Sequence, residues 1–525
     1  MPLLPFYLAL LLCAAAFGPA QANTKFQSTQ RARVEVNAVE GQTLQGCIFY
    51  YDYWHDAVNH SALYLFFKNG QNEPLVIDQL RLENSSFSAR LSTDRQGAYL
   101  LPAPDQAAES CIDFQLTFTP GLLGTPTPHA YEMVYIPRGA YELGAAKSLA
   151  DRNRLDTSQG SLGAPLNAFY QSDGKGTYQG AFQITSEAEI AIGGCDTCLN
   201  YRDAVIPGVN TYSGDRQGKL GPDFPKGFAA FYQMRYELTE QQYCDFLNAL
   251  RPEQARARID LEASFAGADR AAYGNFIVWE NGKYTTSVPD QACSFLSWND
   301  CLALADWAGM RIMTELEYEK SARGTAPAIF REYAWGSSEL EKGYYLDQRL
   351  FACDRGKDCV DGNVHVNLLG FDNFDDVCGA TGSDPDYIGC RILSETMAYR
   401  GPLRTGIHSQ GKTPLSRLNS GAGFYGSLEL SGNVREPVVP VGDRNSRNYV
   451  GVEGDGRIAA DGSANTPAWH YAQGDALVYG YRGGCWAFHE NHARIADRFN
   501  VYRTGPDVRK PYSGFRGVKN ATLAP

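Results

Sequence analysis

The chain has 525 residues, of which 44% are hydrophobic and 20% are charged, as is ordinary for a globular protein. This length accommodates roughly two to four domains. The 47 Lys and Arg residues against 59 Asp and Glu residues give a net charge of −12, which argues against the basic surface of a nucleic-acid-binding protein. We therefore expect no nucleic-acid partner.

Residues 1–22 have the features of a secretory signal peptide. An apolar run ends at Ala20-Gln21-Ala22, which is an A-x-A cleavage pattern. Cys13 follows Leu12, where a lipoprotein signal would have a small residue, so lipidation is the less favoured interpretation. No other run reaches the roughly 18 to 20 apolar residues that cross a bilayer. We expect a secreted, periplasmic or cell-surface protein without a transmembrane segment.

Residues 23–125 predict a small all-β sandwich domain. Apolar and polar residues alternate in short runs such as Phe114-Gln-Leu-Thr-Phe118, separated by Gly, Asn, Asp and Pro. Cys47 and Cys111 are the only cysteines of this stretch, and we expect them to pair. The Pro- and Gly-rich segment from Thr119 to His129 predicts a linker, so this domain should fold alone.

Two helices are predicted beyond this segment. Apolar residues recur with helical spacing over residues 239–250 and 298–309. Each pattern starts with a capping residue that has a polar partner three positions later: Thr239 with Gln242, and Ser297 with Asp300. Much of the remaining chain is rich in Gly, Asp and Asn, so regular structure should be sparse.

The cysteine count favours disulfides. Of 13 cysteines, Cys13 lies in the signal peptide, which leaves 12, an even number for an exported protein. Three close pairs lie in polar loops: Cys195/Cys198, Cys353/Cys359 and Cys378/Cys390. The spacing of Cys195 and Cys198 also fits a redox pair or half of a zinc site, although no second such pair completes a zinc site.

Seven motifs follow one another from residue 133 onward. They are Met133–Gly144, Tyr236–Leu247, Ser297–Cys301 with Trp307–Gly324, Tyr333–Gly336, Leu430–Glu436, Arg482–Gly484 and Gly514–Arg516. In this order they resemble the formylglycine-generating enzyme family, whose domain is also called the sulfatase-modifying-factor domain. Met313 stands where this family usually has a proline. The resemblance implies an α+β, C-type-lectin-like domain over residues 130–518, with insertions near 145–225 and 340–415.

The resemblance also implies two cysteines that hold copper(I), because soft thiolates suit this ion. Counted from Arg482, those two positions are Phe488 and Ala493, which cannot ligate a metal. Cys485 lies three residues before the first position, and a lone thiolate cannot form a two-thiolate site. We therefore expect no copper, and Cys485 is the only catalytic candidate. The favoured interpretation of Cys485 is nevertheless structural: we expect a disulfide to one of the unassigned cysteines, such as Cys244, Cys293 or Cys301, and a reactive free thiol is the alternative.

The loop from Glu429 to Glu436 predicts a structural calcium site. The resemblance implies carboxylate ligands from Glu429 and Glu436 and main-chain carbonyl ligands from Gly432 and Val434, and Ca²⁺ prefers such hard oxygen ligands. Alternatively, Arg435 neutralises the loop without an ion.

Two weaker metal candidates remain. The resemblance places a second calcium site near Asn367 and Leu368. His489 and His492 with Glu490 between them fit a His/carboxylate site, unless these are ordinary loop histidines.

Three glutamates and four arginines are predicted to be structural. Thr314 caps a helix with Glu317 at the capping-box position, and Arg311 and Arg323 are available as ion-pair partners. The full set comprises Glu315, Glu317 and Glu319 with Arg482, Arg494, Arg498 and Arg516.

The segment from Arg482 to Gly517 predicts a binding rim. Its aromatic and polar side chains suit a semi-rigid surface for a protein, peptide or glycan. The rim residues are Trp486, Phe488, His489, His492 and Tyr502. Related scaffolds carry ligand-binding surfaces in diversity-generating retroelement proteins, so we predict an exported, noncatalytic binding or adhesion protein. The alternatives are a sulfatase-maturing, formylglycine-generating oxidase with rearranged thiols, or another metal-dependent oxidase of the family, such as the iron-dependent sulfoxide synthases.

Overall fold

A computed structural model describes residues 32–40, 42–50, 61–83, 87–102, 111–118, 126–146, 168–174, 178–201, 214–265, 267–338, 401–406, 416–472, 479–486, 490–498, 501 and 505–521. Within these ranges the protein forms 24 strands and five α-helices, an α+β fold that is mostly strand. The helices are α1 (Glu240–Ala249), α2 (Pro252–Arg258), α3 (Trp298–Trp307), α4 (Glu315–Arg323) and α5 (Arg417–Ser420). Short 3₁₀ turns lie at Ala271–Tyr273, Ser446–Asn448, Pro467–Ala472 and Glu490–Ala493.

The strands are short after the first eight. They are β1 (Ala32–Glu40), β2 (Thr43–Tyr50), β3 (Ser61–Lys68), β4 (Ile77–Glu83), β5 (Ser88–Leu91), β6 (Gly97–Leu101), β7 (Cys111–Phe118), β8 (Thr127–Ile136), β9 (Tyr141–Leu143), β10 (Phe169–Ser172), β11 (Tyr178–Gly180), β12 (Phe182–Ile184), β13 (Ile190–Ile192), β14 (Leu199–Tyr201), β15 (Gly218–Leu220), β16 (Phe231–Met234), β17 (Ser264–Phe265), β18 (Ala268–Asp269), β19 (Val278–Glu280), β20 (Lys283–Thr285), β21 (Arg311–Thr314), β22 (Glu436–Val439), β23 (Gly480–Arg482) and β24 (Gly517–Asn520).

One nine-stranded mixed sheet runs through the molecule, with the strand order β23-β22-β21-β24-β16-β8-β3-β6-β5. β21 and β22 pair in parallel, whereas the other neighbours are antiparallel. The other strands form a four-stranded sheet in the order β1-β2-β7-β4, a five-stranded sheet in the order β11-β10-β14-β13-β15, and three two-stranded sheets. The centre of the large sheet is therefore built from segments that are far apart in the sequence.

β3 is buried on both of its faces. Successive residues of a strand point to opposite faces. Phe67 points to a core shared with the four-stranded sheet, where its ring lies 6.4 Å from that of Phe114. Phe66 points to the large central core, where its ring lies 5.3 Å from that of Trp307. One strand thus joins the two cores.

The large sheet crosses the boundary predicted between residues 125 and 130. β3 and β8 pair over eight residues, from Ser61 opposite Val134 to Lys68 opposite Thr127. The last residues of the predicted linker therefore lie in β8. The N-terminal strands do enclose a core between two sheets, but one of these sheets continues into the rest of the protein. The division into two domains stays a prediction. The large sheet contains strands from both sides of the predicted boundary.

The predicted helix starts are confirmed. In each case the side chain of the cap accepts a hydrogen bond from the main-chain nitrogen three residues later, and the side chain of that later residue accepts one from the main-chain nitrogen of the cap. The pairs are Thr239 with Gln242, Ser297 with Asp300, and Thr314 with Glu317. α2 was not predicted, although Pro252 in its first turn is a recognised start signal. No helix within the described ranges is both long and apolar enough to span a membrane.

The C-terminal end of α3 is held by side chains from the large sheet. Lys68 Nζ donates to the carbonyl oxygen of Trp307 at 2.7 Å. Lys519 Nζ, from β24, donates to the carbonyl oxygen of Gly309. Cations suit this end of a helix because its free carbonyl groups carry partial negative charge. The helix is thereby fixed to strands from both ends of the chain.

The disulfide between Cys195 and Cys198 is confirmed. Cys47 is also disulfide-bonded, while its pairing with Cys111 stays a prediction. The predicted pairs Cys353/Cys359 and Cys378/Cys390 lie outside the described residues.

We expect a fragment of residues 24–125 not to fold alone, contrary to what its composition indicates. Without β8, the pairing edge of β3 and the face that carries Phe66 would be open to water. Thermal unfolding followed by near-ultraviolet circular dichroism should show no cooperative transition for the fragment, whereas the full chain should show one. A cooperative transition of the fragment would establish an independent domain.

Candidate functional site

The segment from Arg482 to Trp486 passes through a narrow space. Gly483 and Gly484 both have positive φ, 93° and 70°. A Cβ atom on Gly484 would lie 2.7 Å from the main-chain nitrogen of Ala493, and one on Gly483 would lie 2.7 Å from Glu436 Oε2. A larger residue at either position would have to displace these neighbours. Close packing thus requires glycine at both of these positions of the Arg-Gly-Gly motif.

Arg482 is the centre of a fully buried ionic network. Its guanidinium pairs with Glu315 at 3.0 Å and with Glu319 at 2.6 Å, and it donates to the carbonyl oxygen of Ile495 at 2.7 Å. Arg498 Nε pairs with the same Glu315 at 2.8 Å. Burial opposes the ionisation of Glu315, but Arg498 and Arg482 outweigh it and lower its pKa. The network joins β23 and the segment after it to α4.

The other predicted structural charges are also confirmed. Arg311 pairs with Glu317 at 2.6 Å, and Arg323 pairs with Glu319 at 3.2 Å. Arg494 is buried, with its guanidinium 5.9 Å from the ring centre of Tyr333. The glutamates of α4 therefore serve the scaffold.

Cys485 is a fully buried thiol. It lies in a small core with Trp486, Tyr273 and Tyr512, among other residues. The expected disulfide from Cys485 to a neighbouring cysteine is wrong, because Cys244, Cys293 and Cys301 are also present as buried thiols in the larger core. Burial raises the pKa of each of these three thiols, which disfavours the reactive thiolate.

The structure places two of the predicted rim residues in the interior. Trp486 is 1% exposed, and its Nε1 donates to the carbonyl oxygen of Pro511 at 3.1 Å. His492 is 8% exposed, with its Nδ1 3.2 Å from Asp497 Oδ1. Both side chains pack against the protein, so neither offers a face to a large ligand. The other three rim residues, Phe488, His489 and Tyr502, lie outside the described residues.

The predicted calcium loop lies beside this segment. Gly432 N donates to the carbonyl oxygen of Gly483, and Trp486 N donates to that of Asn433, both at 2.8 Å. Glu429 and Glu436 are both buried, at 5% and 0% exposure. Two main-chain hydrogen bonds thus hold the loop against the Arg-Gly-Gly motif.

Sequence reasoning missed a third carboxylate at the loop. Glu237 Oε1 accepts from Val434 N at 3.0 Å, and its Oε2 accepts from the side-chain amide of Asn433. Burial raises the pKa of Glu237, and the carboxylates of Glu436 and Glu429 raise it further. The available signal was a charged residue between Tyr236 and Leu238, at the start of an apolar helix motif.

The negative charges and the oxygen ligands of the loop fit a bound cation. Burial raises the pKa of Glu436 to about 7, although Arg516 pairs with its Oε1 at 2.8 Å. Its Oε2 is buried and has no hydrogen-bond partner among the described residues. Arg435, the alternative neutralising charge, lies instead over the ring of Tyr481, 4.0 Å from the ring centre. A calcium ion would compensate the carboxylates and use Glu436 Oε2.

The other metal candidates gain no support. Among the described residues, no three His, Cys, Asp or Glu side chains form a group that could hold a metal ion. The calcium loop is not a group of this kind, because half of its predicted ligands are main-chain carbonyl oxygens. Asn367, Leu368 and His489 lie outside the described residues, and the side chain of Glu490 is likewise not described.

Comparison with known proteins relates the central part of the chain to one family. Residues 199–352 match the family described as Sulfatase-modifying factor enzyme 1-like domain. The chain is 36% identical over 92 residues to the Formylglycine-generating enzyme of Thermomonospora curvata, covering 17% of this chain and 30% of the relative. Identity to the proteins of the same name is 47% over 58 residues in Streptomyces coelicolor (11% and 18% covered) and 27% over 138 residues in Bos taurus (22% and 36% covered).

The similarity covers only part of this chain and only part of each relative. The chain spans at most 36% of the length of these relatives. The family match includes α1, α3 and α4 but ends at residue 352, before Glu429 and Arg482.

Replacement of Glu315 by Gln should destabilise the protein by roughly 3 to 5 kcal/mol, because the buried carboxylate that Arg482 and Arg498 share would be lost, and Glu319 alone does not compensate both guanidinium groups. Since the pKa of Glu315 is lowered in the folded state, its contribution is present above the unfolded pKa and is lost as the pH falls. Urea unfolding should therefore show a weaker acid dependence for the variant than for wild type.

The matched control for that experiment is Glu253→Gln. Glu253 pairs with Arg251 at 3.4 Å, but both side chains are more than half exposed, at 56% and 58%. Such a pair contributes about 1 kcal/mol or less. Equal effects of the two substitutions would contradict the central role given to Glu315.

Calcium removal should lower the thermal unfolding midpoint, because a ligand that binds only the folded state stabilises it by RT ln(1 + [L]/Kd). Scanning calorimetry with excess chelator, then with calcium restored, measures this shift. Glu436→Gln keeps the size of the side chain but removes a charged ligand, so its calcium response should be much smaller. An unchanged wild-type midpoint after chelation would exclude a stabilising calcium site.

Proposed function

Because the chain carries a sulfatase-modifying factor enzyme 1-like domain, we propose that it is an exported, noncatalytic binding or adhesion protein built on this scaffold. Its ligand would be a protein, a peptide or a glycan, and its loop at Glu429–Glu436 would hold a structural calcium ion. The observation that carries the proposal is Ala493, a fully buried methyl side chain at one of the two positions where the resemblance implies a copper-binding cysteine.

Residue types and packing at this position both argue against oxidase chemistry. An alanine has no ligand atom, and the space beside it is narrow, because even a Cβ atom on Gly484 would lie 2.7 Å from the main-chain nitrogen of Ala493. A two-thiolate copper(I) site needs both thiolates, and the first position is Phe488. No rotation of the present side chains supplies the missing sulfur atoms.

The remaining thiols do not offer a substitute. Cys485 has 0% exposure and belongs to the same buried core as Trp486, so a peptide substrate would have to displace core residues to reach it. The three other described thiols belong to the large core, apart from the core that contains Cys485. A rearranged dithiol site would therefore require substantial movement of buried side chains.

The rigid base under the C-terminal segment supports a binding role. Arg482, Arg498 and Arg516 are all fully buried, and each pairs with a glutamate of another element. A framework fixed in this way can carry variable loops without losing its shape, which is how binding surfaces are commonly built. Phe488, His489 and Tyr502 are the residues we propose for contact with the ligand.

The alternative function is a formylglycine-generating oxidase, and the similarity to relatives that bear this name favours it. The two proposals differ in one measurable product. The purified full chain, loaded with copper(I), should leave a cysteine-containing sulfatase peptide unchanged in a mass spectrometric assay. It should also compete weakly with a copper(I) chelator, since neither implied copper position, Phe488 or Ala493, carries a thiolate.

Two controls make that result informative. The Thermomonospora curvata relative should generate formylglycine in the same peptide, which establishes that the assay works. The double variant Phe488→Cys, Ala493→Cys restores the implied residue types and should raise the affinity for copper(I). Formylglycine produced by the wild-type chain, and lost in Cys485→Ser, would refute the noncatalytic proposal and establish the oxidase.

A further inference from the structure

A cleft of about 950 Å³ lies on another part of the molecule. Its walls come from the β3–β4 connection, the start of β8, and the end of α1, and Trp307 of α3 lines it as well. This volume is within the range of about 300 to 1,000 Å³ that small-molecule sites occupy. None of the described residues of the segment from Arg482 to Gly517 lines it.

Two asparagine side chains in the β3–β4 connection are held in fixed orientations. Asn69 Oδ1 accepts hydrogen bonds from Gln71 N at 2.9 Å and Glu73 N at 3.0 Å. Asn72 Oδ1 accepts from Trp307 Nε1 at 2.8 Å. Since the oxygen of each amide is occupied by the protein, its NH₂ group remains as a donor, and no acceptor among the described residues takes either one. The cleft thus has two oriented donors.

The cleft is also lined by an acceptor from another element. Asp245 of α1 accepts from Gln241 Nε2 at 2.8 Å through Oδ1. Its second oxygen takes no hydrogen bond from the described residues and is available to a ligand. Burial raises the pKa of Asp245, which shows that water is partly excluded around it. Hydrogen bonds formed there would compete with less solvent than on an open surface.

The charged groups of the cleft are already compensated. Lys68 is 2% exposed and donates to the carbonyl oxygen of Trp307 at the end of α3. Glu73 pairs with Arg457 at 2.5 Å. Arg251, which also lines the cleft, pairs with Glu253 at 3.4 Å. Each lysine and arginine of the lining thus already has a partner, and Asp245 would repel an anion. The cleft therefore suits a neutral polar ligand.

We propose that this cleft binds a neutral saccharide. A hydroxyl group both donates and accepts hydrogen bonds, so neighbouring hydroxyls of one sugar ring can accept from Asn69 and Asn72 and donate to Asp245. An anion could only accept, and an apolar ligand would leave the fixed amides unpaired. A peptide pairs its main chain with a strand edge, whereas these groups are side chains on separate elements.

The test uses titration calorimetry of the full chain with neutral disaccharides of glucose, galactose, mannose and N-acetylglucosamine. At least one should bind saturably. Asn72→Asp keeps the oxygen that accepts from Trp307 but replaces the donor with an acceptor, and Asn69→Asp makes the same change in its own turn. Each variant should weaken binding about tenfold or more, equivalent to about 1.4 kcal/mol. Asn281→Asp, in the turn between β19 and β20 and outside the cleft, should bind as wild type does.

Thermal unfolding of each variant shows whether it is folded, and if one is not, the other decides the result. The proposal is refuted if no neutral saccharide binds below about 10 mM, a concentration that would detect even weak sites. It is also refuted if only a glucuronic-acid disaccharide or a neutral tetrapeptide binds, or if both folded variants bind as wild type does. None of these outcomes tests peptide oxidation. The sulfatase-peptide assay therefore decides the proposed function independently of the saccharide titration.

Discussion

Fully buried arginine–glutamate pairs are the interaction on which this fold most depends. A chain with short strands and few helices has limited main-chain pairing to fix its long connections. Arg482, Arg498 and Arg516 lie at 0–1% exposure, and Arg482 and Arg516 each join a carboxylate to main-chain carbonyl groups of another segment. Removing a charge from water is costly, so such a group persists only where nearly all of its hydrogen bonds are made. That requirement selects one arrangement of the surrounding loops.

Two buried lysines connect α3 to strands near the beginning and the end of the described chain. Lys68 from β3 and Lys519 from β24 meet the end of α3, where carbonyl groups lack partners within the helix. Lys519 also pairs with Asp94 at 3.3 Å and with Glu453 at 2.7 Å. The cleft proposed for a saccharide is bordered by this junction, which explains how residues from several segments keep fixed positions there.

Local sequence signals predicted the local features well. Capping residues located the starts of α1, α3 and α4. Glu317 and Glu319 were correctly interpreted as structural, and each has an arginine partner close in sequence, Arg311 and Arg323. Cys195 and Cys198 pair as their spacing indicates. Each of these features depends on residues within a few positions of one another.

Long-range features could not be predicted in the same way. The segment before β8 is rich in proline and glycine, which indicates a break, yet the next residues pair with β3 some 60 positions earlier. Trp486 belongs to an aromatic and polar segment typical of a surface, but its burial is decided by Tyr273, far away along the chain. Glu237 meets Asn433 only in the folded protein. Composition gives no information about contacts between residues that are far apart in the sequence.

The position of β24 has a consequence for how the protein acquires its structure. This strand is the last one in the described part of the chain but lies inside the large sheet, between β21 and β16. Until residues 517–520 arrive, the sheet has a gap with unpaired edges on both sides. A polypeptide emerging from N- to C-terminus therefore cannot complete its core in stages, and closure of the most distant contacts should limit the folding rate. Partly synthesised chains would expose these unpaired strand edges, which favours aggregation.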